Sequence, residues 1–535
     1  MASAASAIVR QLERLGVEVV FGLPGVHTME VYDALLESPI RHILARHEQG
    51  AGFMADGYSR ASGKPGVCLL ITGPGLTNAA TALGTAWADS VPLLVITSQV
   101  PMGFRDQHKG YLHDLWNSHL FTSCLAKETR RVDTPSGLSQ AVADLYHACQ
   151  DGRPRPVHLE VPLDVLGAPI EEDAPREKPQ EKWPSPSPER VFQAREMLQN
   201  ARRPLVVVGG GAAGATSQVM ALAETLECPV VSTTAGKGVL PEDHRLSLGA
   251  RLQVPSMQRL LEEADTLLVV GSDLAPTDFW ARVPAVKGSV VYVDIDAGNF
   301  SRNLFATVGL RGDAPRVLSE LLRGLGQRHP DTFWTHRVSQ ALAESSRELP
   351  AIMGLPQGTG WARDCLSALR EALPREGILC ADMTTLAYIA VSEFPVYHPS
   401  RFLHPAGFGT LGYALPAALG AKIARPDLPV VALTGDGGFQ FTMEELGTAV
   451  QERTGVPIIV VNNAGYGEIR RQQGRRHPGK TMAVDLVNPD FGLLASAYGM
   501  PYSSAVTPEQ LGECLKEALC DSLPTLIELK AAVGV

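Results

Sequence analysis

The sequence has little of what would place a protein in a membrane, on a nucleic acid or on a secretory route. Every long apolar run is interrupted by Gly, Pro or a charged residue well before the ~20 residues that a membrane-spanning helix needs. The 47 Lys and Arg are outnumbered by 57 Asp and Glu, and the net charge of −10 argues against a basic face for nucleic acid or anionic lipid. The N-terminus lacks the basic start and cleavage region of a signal peptide, so we expect a cytoplasmic protein that acts on a small molecule.

Cysteine is also scarce. The eight cysteines are scattered, lie mostly among apolar residues and form no Cys-x-x-Cys pair. This pattern is typical of buried, reduced thiols, and it argues against a zinc site or a catalytic thiol.

What the sequence does contain is a long alternation of short apolar runs with helical periodicity. A length of 535 residues predicts about three domains. Continuous apolar runs such as Thr266–Val270 are typical of strands in a parallel sheet that is covered on both faces. The sequence therefore predicts an α/β fold of three successive doubly wound parallel-sheet domains. The predicted boundaries are 1–167, 188–330 and 359–535, with linkers at 168–187 and 331–358.

The two linkers are predicted from different features. The first is rich in proline and charge and should form no packed element. The second contains an irregular stretch from Leu349 to Gly360.

A Gly-Asp-Gly turn follows a predicted strand of the third domain. The strand at 430–433 leads into Asp436, and a helix is predicted to start near Thr442. A carboxylate at the end of a parallel strand, beside a helix N-terminus, suits a hard cation bound to phosphate. Glycines around the acid would let the backbone approach a diphosphate, and they are Gly435, Gly437 and Gly438.

A second set of oxygen ligands follows the next predicted strand. Asn463 stands 27 positions after Asp436, which is one strand-helix-strand unit, so the two strand ends can be neighbours. Asp436, the Asn463 side-chain carbonyl and the Gly465 backbone carbonyl would then bind Mg²⁺, with two phosphate oxygens and water completing six ligands. An isolated Gly-Asp-Gly is more often a simple turn, and the paired asparagines at this spacing favour the metal site.

With these motifs the chain resembles the thiamine-diphosphate enzymes that include acetolactate synthases, pyruvate decarboxylases and benzoylformate decarboxylases. The resemblance covers essentially the whole length. It implies thiamine diphosphate and Mg²⁺ as cofactors, a first domain that binds the pyrimidine and a third that binds the diphosphate. The middle domain of the family is noncatalytic or holds an accessory nucleotide.

The resemblance also assigns residues to the cofactor. Glu48 matches the glutamate that hydrogen-bonds the pyrimidine N1′, a role that needs an apolar setting and a raised pKa; a carboxylate favoured only by the helix dipole is the alternative. Leu411 matches the apolar wedge under the bent cofactor, for which plain core packing is the alternative, and the Gly409 carbonyl would accept from the 4′-amino group. Further cofactor contacts are implied for Gly73, Pro74, Asn78, Thr384 and Tyr466.

Family members bind the cofactor between the first domain of one subunit and the third domain of another. The resemblance therefore implies a homodimer or a dimer of dimers with active sites between subunits.

The middle domain carries a weak dinucleotide pattern. Gly209, Gly211 and Gly214 have the spacing of a phosphate-binding turn, but no carboxylate stands at the end of the following strand, in 231–234. The segment 271–276 also departs from the loop of flavin-binding acetolactate synthases. Both features argue against FAD.

The reaction of the family begins with ylid addition to a 2-oxo acid and loss of CO₂. Protonation of the resulting enamine gives an aldehyde, whereas attack on a second carbonyl compound gives a carboligated product. His113 matches the first member of the paired-histidine motif of pyruvate decarboxylases and would donate the proton, with a structural histidine as the alternative. The Phe-Gln-Glu run usual in acetolactate synthases is missing.

Other positions resemble 5-guanidino-2-oxopentanoate (2-ketoarginine) decarboxylases. Val26 and His27 follow the Pro-Gly turn where pyruvate decarboxylases have an acid, and the acid beyond the paired asparagines is displaced to Glu468. Asp114 and Glu468 would then face a guanidinium group. Three hypotheses remain: a nonoxidative decarboxylase with Glu48, His27, His113, Asp114 and Glu468 at its active site, an acetolactate synthase-like carboligase, and a noncatalytic cofactor-binding relative.

Overall fold

The computed structural model describes residues 2–170, 183–280, 282–329, 331–355 and 360–531. Most of the predicted linker 168–187, namely residues 171–182, lies outside the described residues. Three α/β units follow one another, each built on a parallel sheet, which confirms the predicted fold class.

The first unit contains a six-stranded sheet and a small two-stranded one. Its strands are β1 Ala2–Ser3, β2 Val19–Gly22, β3 Arg41–Leu44, β4 Gly66–Leu70, β5 Leu93–Gln99, β6 Glu128–Arg131, β7 Val157–Pro162 and β8 Pro169–Ile170. Its helices are α1 Ala4–Arg14, α2 Met29–Leu36, α3 Glu48–Ser62, α4 Pro74–Asn78, α5 Ala80–Asp89, α6 Ser118–Ser123, α7 Leu138–Ala148 and α8 Leu163–Leu166. The strand order is β3-β2-β4-β5-β7-β6, and β1 pairs antiparallel with β8.

The second unit has five parallel strands in the order β10-β9-β11-β12-β13. They are β9 Pro204–Val208, β10 Val230–Ser232, β11 Thr266–Val270, β12 Ser289–Asp294 and β13 Val308–Arg311. The helices are α9 Pro188–Asn200, α10 Thr216–Leu226, α11 Pro255–Glu263, α12 Pro276–Phe279, α13 Asn299–Arg302, α14 Ala314–Leu322 and α15 Thr332–Ile352, with 3₁₀ turns at Gly210–Ala215 and Thr234–Gly236.

Helix α15 lies where the sequence predicts a linker at 331–358. Its first half packs Trp334 and Ala341 into the core of the second unit, and Leu349 reaches the core of the third. Pro350 stands in the last turn, where its missing N–H removes one helical hydrogen bond near the end of the helix. The expected irregular stretch from Leu349 is therefore helical up to Ile352, because one apolar stripe is buried along the whole helix.

The third unit has six parallel strands in the order β15-β14-β16-β17-β19-β18. They are β14 Ile378–Ala381, β15 Phe402–Leu403, β16 Val430–Gly435, β17 Pro457–Asn462, β18 Tyr502–Ala505 and β19 Thr525–Lys530. The helices are α16 Gly360–Ala372, α17 Thr385–Glu393, α18 Ala414–Ala424, α19 Asp436–Phe439, α20 Leu446–Gln451, α21 Gly467–Arg476, α22 Phe491–Ala497 and α23 Pro508–Ala518, with a 3₁₀ turn at Met443–Glu445.

The first and third sheets share one strand order. In each, the first long strand of the unit lies between its two successors, β2 between β3 and β4, and β14 between β15 and β16. Connections leave such a switch point towards opposite faces, which opens a crevice at the carboxyl ends of the strands. The fold therefore offers one candidate binding crevice in each of these units.

Helices α3 and α18 join the first unit to the third through one continuous apolar core. The two helices pack so closely that a Cβ at Gly57 would overlap the Ala417 carbonyl, and a Cβ at Gly420 would overlap the Met54 carbonyl. Glycine is required at both positions, and the contact fixes the orientation of α3, which begins with Glu48.

The cysteines are reduced in the structure, as the sequence predicts. All eight cysteines are free, and five of them are buried: Cys68, Cys149, Cys228, Cys365 and Cys380. Within the described ranges, no helix is long and apolar enough to span a bilayer.

Replacing Gly57 by Ala should lower the free energy of unfolding by about 1–3 kcal/mol, because the added methyl overlaps the Ala417 carbonyl. Gly474→Ala is the matched control: its added Cβ meets open space on helix α21, and it should be neutral or stabilising by up to about 1 kcal/mol. Urea unfolding followed by circular dichroism measures both. Equal stability of Gly57→Ala and the wild type would contradict the close packing of α3 on α18.

Candidate active site

The third-domain part of the site lies at the ends of two neighbouring strands. β16 and β17 pair in parallel with Gly435 opposite Val461, so Asp436 and Asn463 follow at the same edge of the sheet. Both side chains are buried, with Asp436 1% and Asn463 8% exposed. The structure thus brings together the two residues that the sequence spacing pairs. A short helix begins at Asp436 itself, in addition to the helix predicted near Thr442, which starts as a 3₁₀ turn after Thr442 and continues as α20.

Asp436 is held by three hydrogen-bond donors. The backbone N–H of Gly437 donates to Oδ1 at 2.9 Å, and the backbone N–H of Gly465 donates to Oδ2 at 3.1 Å. Asn488 donates to the same Oδ2 at 2.7 Å and to the Asn462 side chain at 2.9 Å. Asn488 is a site residue that the sequence did not indicate, because it stands in a loop without a motif.

The paired asparagines have different surroundings. Asn462 donates to Glu528 Oε1 at 2.7 Å and accepts from the backbone N–H of Ala464, so its side chain supports the strand ends. Asn463 is the more buried of the two and follows directly after the strand. Asn462 thus stabilises the loop, and Asn463 as a metal ligand stays a prediction.

Glycines in the Gly-Asp-Gly turn make room for neighbouring side chains. A Cβ at Gly437 would lie 2.6 Å from the ring of Tyr466, and a Cβ at Gly435 would lie 3.1 Å from Thr384 Oγ1. Thr384 and Tyr466, both assigned to the cofactor from the resemblance, thus border the same backbone segment.

The donor set fits a hard cation. Asp436, Asn463 and the Gly465 carbonyl offer one carboxylate, one amide and one backbone oxygen, which are the ligand types that Mg²⁺ takes together with phosphate. In the part of the chain that the structure describes, no group of three or more His, Cys, Asp or Glu is arranged to hold a metal. A zinc-type centre is therefore not found among these residues.

Asp382, at the end of β14, is a second residue that the sequence did not indicate. It is 1% exposed, and its Oδ2 accepts from the backbone N–H of Gly412 at 2.9 Å and from Thr434 Oγ1 at 3.1 Å. Burial raises the pKa of the Asp382 carboxyl to about 6. Asp382 thus connects the loop that carries Leu411 to strand β16. In the sequence, only its position at the end of a predicted parallel strand could have indicated a role in the site.

Leu411 is partly exposed and does not belong to the buried apolar clusters of the described residues. Leu411 therefore lies outside the core of the single chain, and its role as the wedge under the cofactor stays a prediction. Gly409 in the same loop has a φ of +71°, a conformation that favours glycine.

The first-domain part of the site surrounds Glu48. This residue opens α3, and its Oε2 accepts from Asn78 Nδ2 at 2.8 Å. A Cβ at Gly75 would lie 3.3 Å from Glu48 Oε1, and one at Gly73 would overlap the His113 carbonyl. Pro74 is the first residue of α4 in this turn. Glu48 is partly exposed in the single chain, so the apolar setting expected for it is not provided by this chain alone.

The backbone before Glu48 is held by the third domain. Glu445 Oε1 accepts from the N–H groups of Arg46 and His47, each at 3.0 Å, and Oε2 accepts from Thr448 Oγ1 at 2.6 Å. Burial raises the pKa of Glu445 to about 7. Glu445 is a third residue that the sequence did not indicate.

His27 and His113 form a pair beside this turn. Their ring centroids are 5.0 Å apart, and Tyr111 lies 5.9 Å from His27. The Nδ1 atoms of both histidines are buried and have no hydrogen-bond partner among the described residues. Burial lowers the pKa of His27, and His113 lowers it further. The histidine pair of this protein is thus built from two distant segments.

The two acids predicted to face a guanidinium differ in their pairing. Glu468 already accepts from Arg471 Nε at 2.9 Å and from Gln472 Nε2 at 2.7 Å within its own helix. Asp114 is half-buried, and its carboxylate has no hydrogen bond or ion pair with any residue in the described ranges. Only Asp114 is therefore available without breaking an existing contact.

The dinucleotide-like turn of the middle domain forms a 3₁₀ turn, Gly210–Ala215, and no carboxylate stands at the end of β10. A cavity of about 530 Å³ lies at this edge, lined in part by Gly211, Asp273 and Asp294. The absence of FAD stays a prediction.

His113→Gln should raise the pKa of His27, because one of the two causes that lower it is removed. The rise should stop short of the ordinary histidine value of about 6.5, since burial is the larger cause. NMR titration of ¹³C-labelled histidine measures the shift, and the exposed His119→Gln serves as the control. An unchanged His27 titration would show that the two rings do not interact.

Three domain models of one protein family match the chain. Residues 2–120 match the N-terminal TPP binding domain of thiamine pyrophosphate enzymes, residues 191–321 the central domain, and residues 382–529 the C-terminal TPP binding domain.

Curated relatives cover nearly the whole chain. A Pseudomonas aeruginosa protein named "Probable 2-ketoarginine decarboxylase" is 41% identical over 99% of this chain and 94% of its own length. A Methanocaldococcus jannaschii protein named "Probable acetolactate synthase large subunit" is 32% identical over 98% of this chain and 91% of its own length. The acetolactate synthase isozyme 1 large subunit of Escherichia coli is 32% identical over 98% of this chain and 93% of its own length. The strand-end site and these full-length similarities agree: the chain belongs to the family of thiamine pyrophosphate-dependent enzymes.

Proposed function

We propose that the protein is a thiamine-diphosphate- and Mg²⁺-dependent nonoxidative decarboxylase of a 2-oxo acid, with 5-guanidino-2-oxopentanoate as substrate. The observation that carries the cofactor part is the placement of Asp436 and Asn463 at adjacent strand ends. The substrate part is supported by the 41% identity to a protein whose name assigns it 2-ketoarginine.

Third-domain residues hold the cofactor's charged end. Asp436, Asn463 and the Gly465 carbonyl would hold Mg²⁺, and the backbone at Gly435, Gly437 and Gly438 would hold the diphosphate. Thr384 and Tyr466 border the same segment. When bound, thiamine diphosphate supplies the nucleophilic carbon and the electron sink for CO₂ loss.

Glu48 acts on the pyrimidine. Asn78 donates to one carboxylate oxygen of Glu48, which leaves the other oxygen, next to Gly75, for the pyrimidine nitrogen. The Gly409 carbonyl and the Leu411 side chain hold the pyrimidine and its bend from the third domain. Glu48 therefore takes a proton-relay role whose geometry depends on Asn78.

His113 would donate the proton that replaces the lost carboxylate on carbon. Its ring lies beside His27, and burial lowers the pKa of His27 from its ordinary value. The Nδ1 atom of His113 has no hydrogen-bond partner among the described residues, so the ring is available to a bound substrate.

The active form is a homodimer or a dimer of dimers. Glu48, Asn78, Leu411 and Tyr466 all face solvent at least partly in the single chain, although family chemistry needs a dry site. Large apolar side chains near the third-domain part are also exposed, among them Phe441, Ile469 and Met482. A second copy that covers these surfaces would complete each site.

A carboligase is the second candidate function. It is favoured by two acetolactate synthase relatives at 32% identity, which cover 98% of the chain against 99% for the 2-ketoarginine relative.

Products from a panel of 2-oxo acids test the reaction. With thiamine diphosphate and Mg²⁺, 5-guanidino-2-oxopentanoate should yield CO₂ and the guanidino aldehyde one carbon shorter, detected by mass spectrometry. Glu48→Gln should retain the cofactor and lose about 100-fold or more of kcat, because proton transfer is impaired. The exposed Glu513→Gln is the control. Acetolactate from pyruvate would favour the carboligase instead, and unchanged turnover in Glu48→Gln would remove Glu48 from the mechanism.

Asp114→Asn tests the guanidinium contact. Loss of a charge-assisted hydrogen bond should raise KM for the guanidino substrate about tenfold or more, with little effect on an uncharged 2-oxo acid of the same length. Glu468→Gln should change KM less, because Arg471 and Gln472 already occupy that carboxylate. A larger effect from Glu468→Gln than from Asp114→Asn would contradict the assignment.

A further inference from the structure

The loop between β15 and α18 is held at both ends by side chains of the first domain. This loop, residues 407–413, carries Gly409 and Leu411. At its start, the backbone N–H of Gly407 donates to Asp89 Oδ1 at 2.8 Å. At its end, the Tyr413 hydroxyl donates to Asp56 Oδ1 at 2.7 Å. Two carboxylates from α3 and α5 thus hold one loop of the third domain.

Arg60 connects the two carboxylates. Its Nε donates to Asp56 Oδ1 at 2.6 Å, and its Nη2 donates to Asp89 Oδ2 at 2.8 Å. The guanidinium also lies 5.6 Å from the centre of the Tyr413 ring. We call Asp56, Arg60 and Asp89 the loop clamp.

The clamp lies out of solvent. Asp56 and Tyr413 are 0% exposed, and the side chains of Arg60 and Asp89 are 15% and 9% exposed. Charged hydrogen bonds at such sites are little screened, and a buried charge that loses its partner is strongly unfavourable. The clamp therefore restrains the loop more firmly than exposed ion pairs would.

Between its two ends, the loop packs closely against helix α5. A Cβ at Gly84 of α5 would lie 2.7 Å from Cζ of Phe408, and a Cβ at Gly407 would lie 2.6 Å from Asp89 Oδ1. The loop backbone thus rests directly on α5, and any movement of the clamp would be transmitted to it.

We propose that Asp56, Arg60 and Asp89 are positioning residues for catalysis, which set the Gly409 carbonyl and the Leu411 side chain against the bound cofactor. The proposal rests on the proposed function, because the loop contacts the cofactor only if thiamine diphosphate binds. None of the three residues touches the reacting atoms; each acts through the loop.

Two shape-conserving variants test the clamp. Asp89→Asn removes the ion pair with Arg60, and Tyr413→Phe removes the hydroxyl that donates to Asp56 while leaving Arg60 and Asp56 paired. Exchange of the C2 proton of bound thiamine diphosphate with deuterium, measured by acid quench and NMR without substrate, reports cofactor activation directly. We expect this exchange and kcat to fall about tenfold in each variant, because small misplacements of a reacting group have large rate effects. The dissociation constant of the cofactor should change no more than about threefold, since the diphosphate site is untouched.

Backbone hydrogen exchange of the protein without cofactor gives a separate readout. Amides in 407–412 should exchange at least about tenfold faster in both variants than in the wild type, while the exposed pair Arg425 and Asp427, tested with Asp427→Asn, should leave that loop unchanged. Wild-type loop exchange in folded variants would overturn the clamp whatever the cofactor result. Faster loop exchange with wild-type C2 exchange and kcat would overturn the positioning role. A wild-type protein that does not bind thiamine diphosphate would overturn the proposed function, and with it the catalytic part of the clamp proposal, while the loop readout still decides the contact itself.

Discussion

The candidate active site depends on the parallel pairing of β16 with β17. Parallel strands end at the same edge of a sheet, so this pairing alone puts the Asp436 carboxylate beside the loop of Asn463. Asp436 is buried and is surrounded by neutral donors, namely two backbone N–H groups and Asn488. A desolvated carboxylate without a cationic partner is unfavourable, and a divalent ion that brings a diphosphate relieves it. Under the proposed function, the strand pairing therefore places a buried carboxylate where the metal and diphosphate of the cofactor would bind.

The packing of helix α3 on helix α18 connects the first domain to the third domain, which carries this site. Glycines at 57 and 420 let the two helices approach until backbone meets backbone, which leaves a single packing arrangement. Helix α3 begins with Glu48, and α18 begins immediately after the loop that carries Leu411. One rigid contact between domains therefore fixes both helix starts in the chain, the one at Glu48 and the one that follows the loop of Leu411.

The strands and the motif residues follow from the sequence, whereas the residues that hold them do not. Continuous apolar runs have one stable place in a covered parallel sheet, and Asp436 is marked by its glycines. Helix α15 could not be predicted from the sequence, because its apolar stripe is narrow and because Pro350 is typical of a helix end. The chain tolerates this proline in the last turn. Asp382 and Glu445 bind backbone N–H groups 30 and 399 positions away, so their partners exist only after folding. No local pattern encodes such contacts, because the recognised group is backbone that every residue has.

The partners of charged side chains are also not predictable from the sequence, as the two acids proposed to bind the substrate show. The resemblance to 2-ketoarginine decarboxylases assigns two acids, Asp114 and Glu468, to a guanidinium group, and by residue type the two are equivalent. Folding makes them unequal, because Arg471 and Gln472 already satisfy Glu468 while Asp114 has no partner among the described residues. A cationic substrate at Glu468 would have to displace an existing ion pair, whereas at Asp114 it would gain a new one. Under the proposed function, the free energy for selecting a guanidinium substrate would therefore come from Asp114, in the first domain next to His113, rather than from Glu468.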